Sequence, residues 1–159
     1  MLDFDSKIWY NVNMDKSLPK RILPIVLLAA YTLAVAYITL LSRDAAHASI
    51  ELDPIASYRR AANAPRYLAI LEIRSIILNI AMFVPLGLLL PMASAKFSKI
   101  QLTMPVALLA SLAIETAQLA THRGVFSIED ILHNTLGAAL GLTFYHAASK
   151  IFKMFCYNR

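Results

Sequence analysis

Four stretches of the chain are almost continuously apolar: Ile22–Leu41, residues 73 or 76 to 95, Ile100–Ala120 and residues 128–148. Each runs for about the 20 residues that a helix needs to cross a bilayer. Apolar and polar positions do not alternate, so the strands of a membrane barrel are excluded. A backbone in hydrocarbon must pair its polar groups within the segment, and each stretch is therefore predicted to be helical. The first follows a polar segment, residues 1–20, and ends at Leu41-Ser42-Arg43 without a small-x-small cleavage pattern. It reads as a helix of the mature protein rather than a signal peptide.

The connections set the arrangement. Residues 96–99 and 121–127 are short, so spans two and three, and three and four, form antiparallel pairs. Residues 42–74 make the one long connection. Within it, Asp53-Pro54 is a good helix start, with Pro at the first helical position. Ile55, Tyr58, Arg59, Arg60 and Ala62 then suggest a short amphipathic piece that stops before Pro65. A solvated surface loop is the competing reading. Internal repeats and low-complexity tracts are absent from the sequence. The expected fold is all-α and polytopic: a bundle of four transmembrane helices, with a long outer loop between helices 1 and 2. Residues 1–20 form a cytoplasmic segment, 21–150 the transmembrane domain, and 151–159 a cytoplasmic tail.

Composition agrees with this reading. Among 159 residues, 58% are hydrophobic and 16% charged, with a mean hydropathy of +0.59. Soluble domains average about 45–50% apolar and 25% charged residues. Most soluble enzyme classes and disordered chains are excluded. The net charge of +5 marks loops beside a membrane more readily than nucleic-acid binding. With the N-terminus inside, nine basic residues fall on the inner side and six on the outer side, which favours two cytoplasmic termini. All seven lysines then lie inside, whereas six of the eight arginines lie outside, among seven acidic residues. An arginine-rich, mixed-charge face suits carboxylate or phosphate groups. Headgroup-level ion pairs without a ligand are the alternative.

Polar residues within spans carry the functional signal, because they are costly there. Asn79 lies on span two, Glu115 and Gln118 on span three, and Glu129, Asp130 and Asn134 on span four. Asn79, Glu115 and Asn134 share one depth, a turn or two below the outer ends. Gly137 and Gly141 continue the Asp130-Asn134 stripe at i, i+4 spacing and permit close approach of another helix. Plainer readings exist for each. Asn79, Gln118 and Asn134 suit interhelical hydrogen bonds. Ser127-Ile128-Glu129-Asp130 reads as a helix start whose acids suit the dipole. Arg123 could serve the last carbonyls of its own helix, and Pro85-Leu86-Gly87 could be a kink. Glu115 resists such readings most, since a buried carboxylate must be protonated or paired. Arg123 is long enough to snorkel toward it, with Arg43 and Arg74 as other partners.

The remaining chemistry is sparse. One cysteine, Cys156, excludes an intrachain disulfide; a palmitoylated or inert thiol fits the tail. His47, His122, His133 and His146 have no zinc-ligand spacing, and no nucleophile elbow or P-loop is present. No metal and no cofactor are expected.

Asn79-Ile80-Ala81-Met82-Phe83-Val84-Pro85-Leu86-Gly87, then Glu115-Thr116-Ala117-Gln118, Arg123, Asp130, Asn134, Gly137 and Gly141, resembles the VanZ-like membrane protein family in order and spacing. The resemblance covers about residues 30–148. Where relatives carry an Asn-x-x-Pro-like motif after span one, this chain has Leu52-Asp53-Pro54-Ile55. The resemblance implies a multi-pass protein of the bacterial inner membrane. It also implies a theme, since the family's namesake is associated with reduced susceptibility to the glycopeptide antibiotic teicoplanin. It does not imply a reaction, and whether the chain is an enzyme stays open, with Glu115 and Asp130 as acid–base candidates. The expected site is an outward polar pocket of Asn79, Glu115, Gln118, Arg123, Asp130 and Asn134 that binds an anionic envelope component, foremost a lipid-linked cell-wall precursor. Membrane lipids are expected partners and nucleic acid is not. A structural protein that contacts other membrane proteins is the second reading. An ion or solute path is the third, disfavoured by the apolar inner half of every span.

Overall fold

In the computed structural model, residues 18–41 and 48–157 are described. The expectations for the N-terminal segment, and for Arg43, Asp44 and His47, lie outside the described residues. Helix α1 (Leu18–Ala36) passes into a π-helical turn (Tyr37–Leu41). Strand β1 (Ser49–Glu51) and helix α2 (Ala56–Asn63) follow. Helix α3 (Arg66–Ala93) leads through a 3-10 turn (Ala95–Ser98) into α4 (Ile100–Ala120). Strand β2 (Val125–Ser127) then leads directly into α5 (Ile128–Tyr157).

The architecture is all-α, and Ile22–Leu41, Arg66–Ala93 and Ile100–Ala120 are long and apolar enough to cross a membrane. The first and third match the expected spans. The second begins earlier than expected, at Arg66, because Pro65 starts the helix and its backbone carbonyl accepts from Leu68 and Ala69. Tyr67, Glu72 and Arg74 interrupt the apolar run there without interrupting the helix. Helix α2 also departs from expectation. It starts at Ala56 rather than Pro54, after a turn in which Asp53 Oδ1 accepts the Ile55 N–H at 3.1 Å. Helix α5 has 30 residues and continues past the expected end to Tyr157.

Burial in α4 shows how the bundle is put together. Its buried positions are Thr103, Ala107, Ser111, Glu115 and Gln118, a stripe of small and polar residues at helical spacing. Leu102, Leu108, Leu109 and Leu112 point outward. This is the pattern of a membrane bundle, where apolar tails solvate the outside and small or polar groups mediate helix contact.

Helices α3 and α5 run in the same direction and touch backbone to backbone. A Cβ on Gly137 would overlap the Ile80 carbonyl, one on Gly141 the Val84 carbonyl, and one on Gly87 the Ala138 carbonyl. Gly87 is therefore part of the seam, from the opposite side. Phe83, Leu86, Leu90, Ala107 and Ala138 form the apolar core beside it. Tyr31 pins α1 to α3 by donating to the Met82 carbonyl at 2.8 Å. At the other end, His146 Nε2 lies 2.9 Å from the Ser98 carbonyl, which fixes the 3-10 turn against α5.

A cavity over a polar layer at the loop end

The end of the bundle that carries α2 is closed by a small parallel pairing. Ser49, Ile50 and Glu51 of β1 align with Val125, Phe126 and Ser127 of β2. Three-residue strands separated by more than 70 positions leave no periodicity in the sequence, so this element was not expected. The sheet brings the long connection against the turn between α4 and α5.

That turn has a specific geometry. His122 adopts φ 55°. Arg123 N donates to the Gln118 carbonyl at 2.9 Å and His122 N to the Leu119 carbonyl at 3.2 Å, closing a Schellman motif at the end of α4. The main chain thus supplies the cap that the plainer reading gave to the Arg123 side chain. The guanidinium instead reaches the first span. Its Nη1 donates to the Leu40 and Leu41 carbonyls, at 3.0 Å each. Gln118 Nε2 donates to the Thr39 carbonyl at 3.3 Å. The π-helical turn therefore presents three carbonyls to two side chains near the end of α4, satisfying groups that a helix end leaves open.

Glu115 is 2% exposed, and its Oε2 accepts the backbone N–H of Ser127 at 2.9 Å. Ser127 in turn caps α5, its Oγ accepting from Asp130 N at 3.2 Å, as its spacing before Asp130 predicts. Asn134, 1% exposed, donates from Nδ2 to Ser111 Oγ at 2.9 Å, one turn of α4 away from Glu115. Asn79 is buried on α3 at the same end of the seam. Asn79 Nδ2 and Asn134 Oδ1 have no partner among the described residues.

Above this layer lies an open cavity of about 610 Å³. Arg60, Arg123, Asp130, Glu51 and Glu72 line it, together with Ser49, Ser57, Ser75 and Ser127. Of the expected site residues, Arg123 and Asp130 are on its wall. Asn79, Glu115, Gln118 and Asn134 are buried beneath and are not lining residues. Glu115 connects to the cavity through Ser127. Among the described residues, no group of three or more His, Cys, Asp or Glu is placed to hold a metal ion.

Sequence reasoning missed the part built by α2. Arg60 Nε donates to Glu72 at 2.9 Å, its Nη1 to Glu51 at 3.4 Å, and its Nη2 to Ser57 Oγ at 2.9 Å. The Glu72 hydrogen bond, ahead of the charges of Glu72, Glu129 and Glu51, holds the Arg60 guanidinium above its ordinary pKa, against some opposing desolvation. Glu129, 1% exposed, accepts the Ser57 N–H at 2.8 Å and so caps the start of α2. Tyr58 OH lies 2.9 Å from His133 Nε2. Glu129 and His133 are one turn apart on α5, and that i, i+4 spacing, continued by Gly137, was the available signal for an inward face.

The protein-family model described as VanZ/LLP1 matches residues 27–152. Comparison with curated proteins and with solved structures finds no match.

Proposed function

The chain belongs to the VanZ/LLP1 family, and from that premise we propose that the cavity at its loop end faces outward and binds an anionic group of the cell envelope. A lipid-linked cell-wall precursor, held by its phosphate or carboxylate, is the leading ligand, and lower glycopeptide susceptibility is the expected consequence. The observation that carries this reading is the cavity of about 610 Å³, in which Arg123 shares a wall with four serine residues. Guanidinium groups present planar donor edges that match both phosphate and carboxylate. Serine hydroxyls add adaptable donors.

The orientation rests on charge. Lys96, Lys99, Lys150 and Lys153 gather at the end opposite the cavity, whereas Arg59, Arg60, Arg66 and Arg123 gather at the cavity end. The positive-inside rule then puts the lysine end in the cytoplasm of a bacterial inner membrane, with both termini there. A fourth crossing by α5 completes the bundle. Its 30 residues extend about 45 Å at the helical rise of ~1.5 Å per residue, and it follows α3 along the glycine seam. Glu115, with one oxygen occupied by Ser127 N beneath the cavity floor, suits a positioning role better than acid–base chemistry.

A scaffold that contacts other membrane proteins is the second reading, favoured by the number of exposed arginine ion pairs at this end, such as Arg59–Asp53 at 3.0 Å. Protein reconstituted in nanodiscs, titrated with a fluorescent lipid-linked precursor, tests the first. Saturable binding that Arg123→Lys weakens at least tenfold supports it. Binding absent from the intact protein, or unchanged in that variant, removes it.

A further inference from the structure

The charge on the cavity wall does not suit an anion alone. Arg60 and Arg123 face Glu51, Glu72 and Asp130, so the wall carries one more acid than base. The excess is concentrated around Arg60. Its guanidinium meets Glu72 at 2.9 Å and Glu51 at 3.4 Å. A third carboxyl, Glu129, sits behind Ser57, close enough to act electrostatically on Arg60. One oxygen of Glu129 is occupied by the Ser57 N–H, and the other, Oε1, is fully buried with no partner among the described residues. Two acids thus contact the single Arg60 guanidinium, and a third lies behind Ser57. An incoming phosphate would meet attraction at the Arg123 wall and repulsion at the Arg60 wall.

We propose that the cavity selects a zwitterionic ligand, an ammonium group a few ångströms from a phosphate, with the ammonium at Glu51 and Glu72 and the phosphate at Arg123. This rests on the reading of the cavity as an anion site and adds the second half of the recognition. An ammonium is a compact charge with three donors, and it can add to two carboxylates of which Arg60 takes one oxygen each, Glu51 giving its other oxygen to the Asp53 N–H. The serines near both walls supply neutral contacts to the linking atoms. An anion without the amine gains the contact at Arg123 but remains exposed to the acidic wall, and like-charge juxtaposition is a strong means of rejecting a wrong ligand. The same chemistry could come from the headgroup of an aminophospholipid or from a free aminophosphate.

The full chain, purified in detergent, should be titrated with lysophosphatidylethanolamine and lysophosphatidylglycerol under native mass spectrometry. The first carries both charges and the second only the phosphate. The expected result is at least tenfold tighter retention of the ethanolamine lipid. Glu72→Gln should reduce that preference to threefold or less without weakening the glycerol lipid. Should Glu72→Gln misfold, Glu51→Gln, on the more exposed partner of Arg60, gives the same readout. Displacement of the lipid by free phosphoethanolamine would assign recognition to the headgroup. Failure to displace it would assign recognition to the lipid as a whole. Equal retention of both lipids, or tighter retention of the glycerol lipid, overturns the zwitterion proposal and leaves the anion reading standing. Retention of neither lipid overturns both.

Discussion

Glu115 and Ser127 are joined by a 2.9 Å hydrogen bond from the Ser127 backbone N–H to Glu115 Oε2, between a buried carboxylate of α4 and the residue that ends β2 and caps α5. Ser127 also lines the cavity. One side chain therefore sets the start of α5, the end of the small sheet and part of the cavity floor. Leaving that buried N–H without an acceptor would cost roughly 1–3 kcal/mol.

Glu115→Ala should accordingly lower thermal stability in detergent, by about 2 kcal/mol. Glu115→Gln keeps an acceptor oxygen of the same reach and should recover most of that loss. Thermal unfolding followed by circular dichroism or dye binding measures both. A glutamine variant as unstable as alanine would mean that the charge, rather than the acceptor, holds Ser127.

The seam between α3 and α5 gives a second expectation. At Gly141 the obstacle to a Cβ is the Val84 backbone carbonyl, which cannot rotate away as a side chain could. Gly141→Ala must separate the helices, and overpacking of this kind costs typically 1–3 kcal/mol. Ala147→Gly, at an exposed position of the same helix, should cost about 1 kcal/mol through propensity alone. Gly141→Ala should thus be the more damaging of the two, although alanine is the better helix former. The order of the two melting temperatures decides it.

His122 occupies the left-handed position of the Schellman motif, at φ 55°. A side chain there costs roughly 1–2 kcal/mol relative to glycine, partly offset by glycine's greater freedom when unfolded. His122→Gly should stabilise the protein by about 0.5 kcal/mol. Since His122 is exposed, no buried contact is lost. A fall in melting temperature would mean that the imidazole makes a contact of its own.

These residues also show what could be read in advance. The ends of the first and third spans were legible because their apolar runs stop where the helices stop. Gly137 and Gly141 were legible because small residues four apart have one common use in a bundle. The start of α3 was not, since a helix that leaves hydrocarbon keeps its hydrogen bonds while its composition turns polar. Glu129 stands in the first turn of α5, as its place after Ser127 predicts, and its carboxyl also caps a different helix, at Ser57. That contact spans 72 residues and depends on a three-residue strand pairing, which no local pattern encodes. Arg123 reaches the Leu40 and Leu41 carbonyls, whereas the plainer of its two readings has it serve the carbonyls of α4. Its own helix is capped by main chain, and length alone could not tell which neighbouring helix end the guanidinium would reach.

The proposed orientation has a direct test. With Cys156 first replaced by serine, single cysteines at Ser98 and Thr121 should label from opposite sides of the membrane. In cells, an impermeant maleimide should reach position 121 and should reach position 98 only after the membrane is opened. The reverse pattern would turn the cavity toward the cytoplasm and remove the envelope ligand from the proposed function.

Arg123 holds the first span and lines the cavity at once, and the two roles separate by substitution. The first uses a single nitrogen, Nη1, for the carbonyls of Leu40 and Leu41 at 3.0 Å each. One ammonium can serve two carbonyls, so lysine should preserve much of this bond, while alanine leaves two carbonyls at the helix end to find other partners. Arg123→Ala is expected to cost about 1–3 kcal/mol of stability, as for a lost charge-assisted bond, and Arg123→Lys well under half of that. The second role uses the planar donor edge, which lysine lacks. Arg123→Lys should therefore fold and melt near the parent while losing at least tenfold in affinity for the precursor probe and any effect on glycopeptide susceptibility. A lysine variant that melts like the parent and binds like the parent would reduce Arg123 to a clamp on the first span and remove the cavity as the anion site.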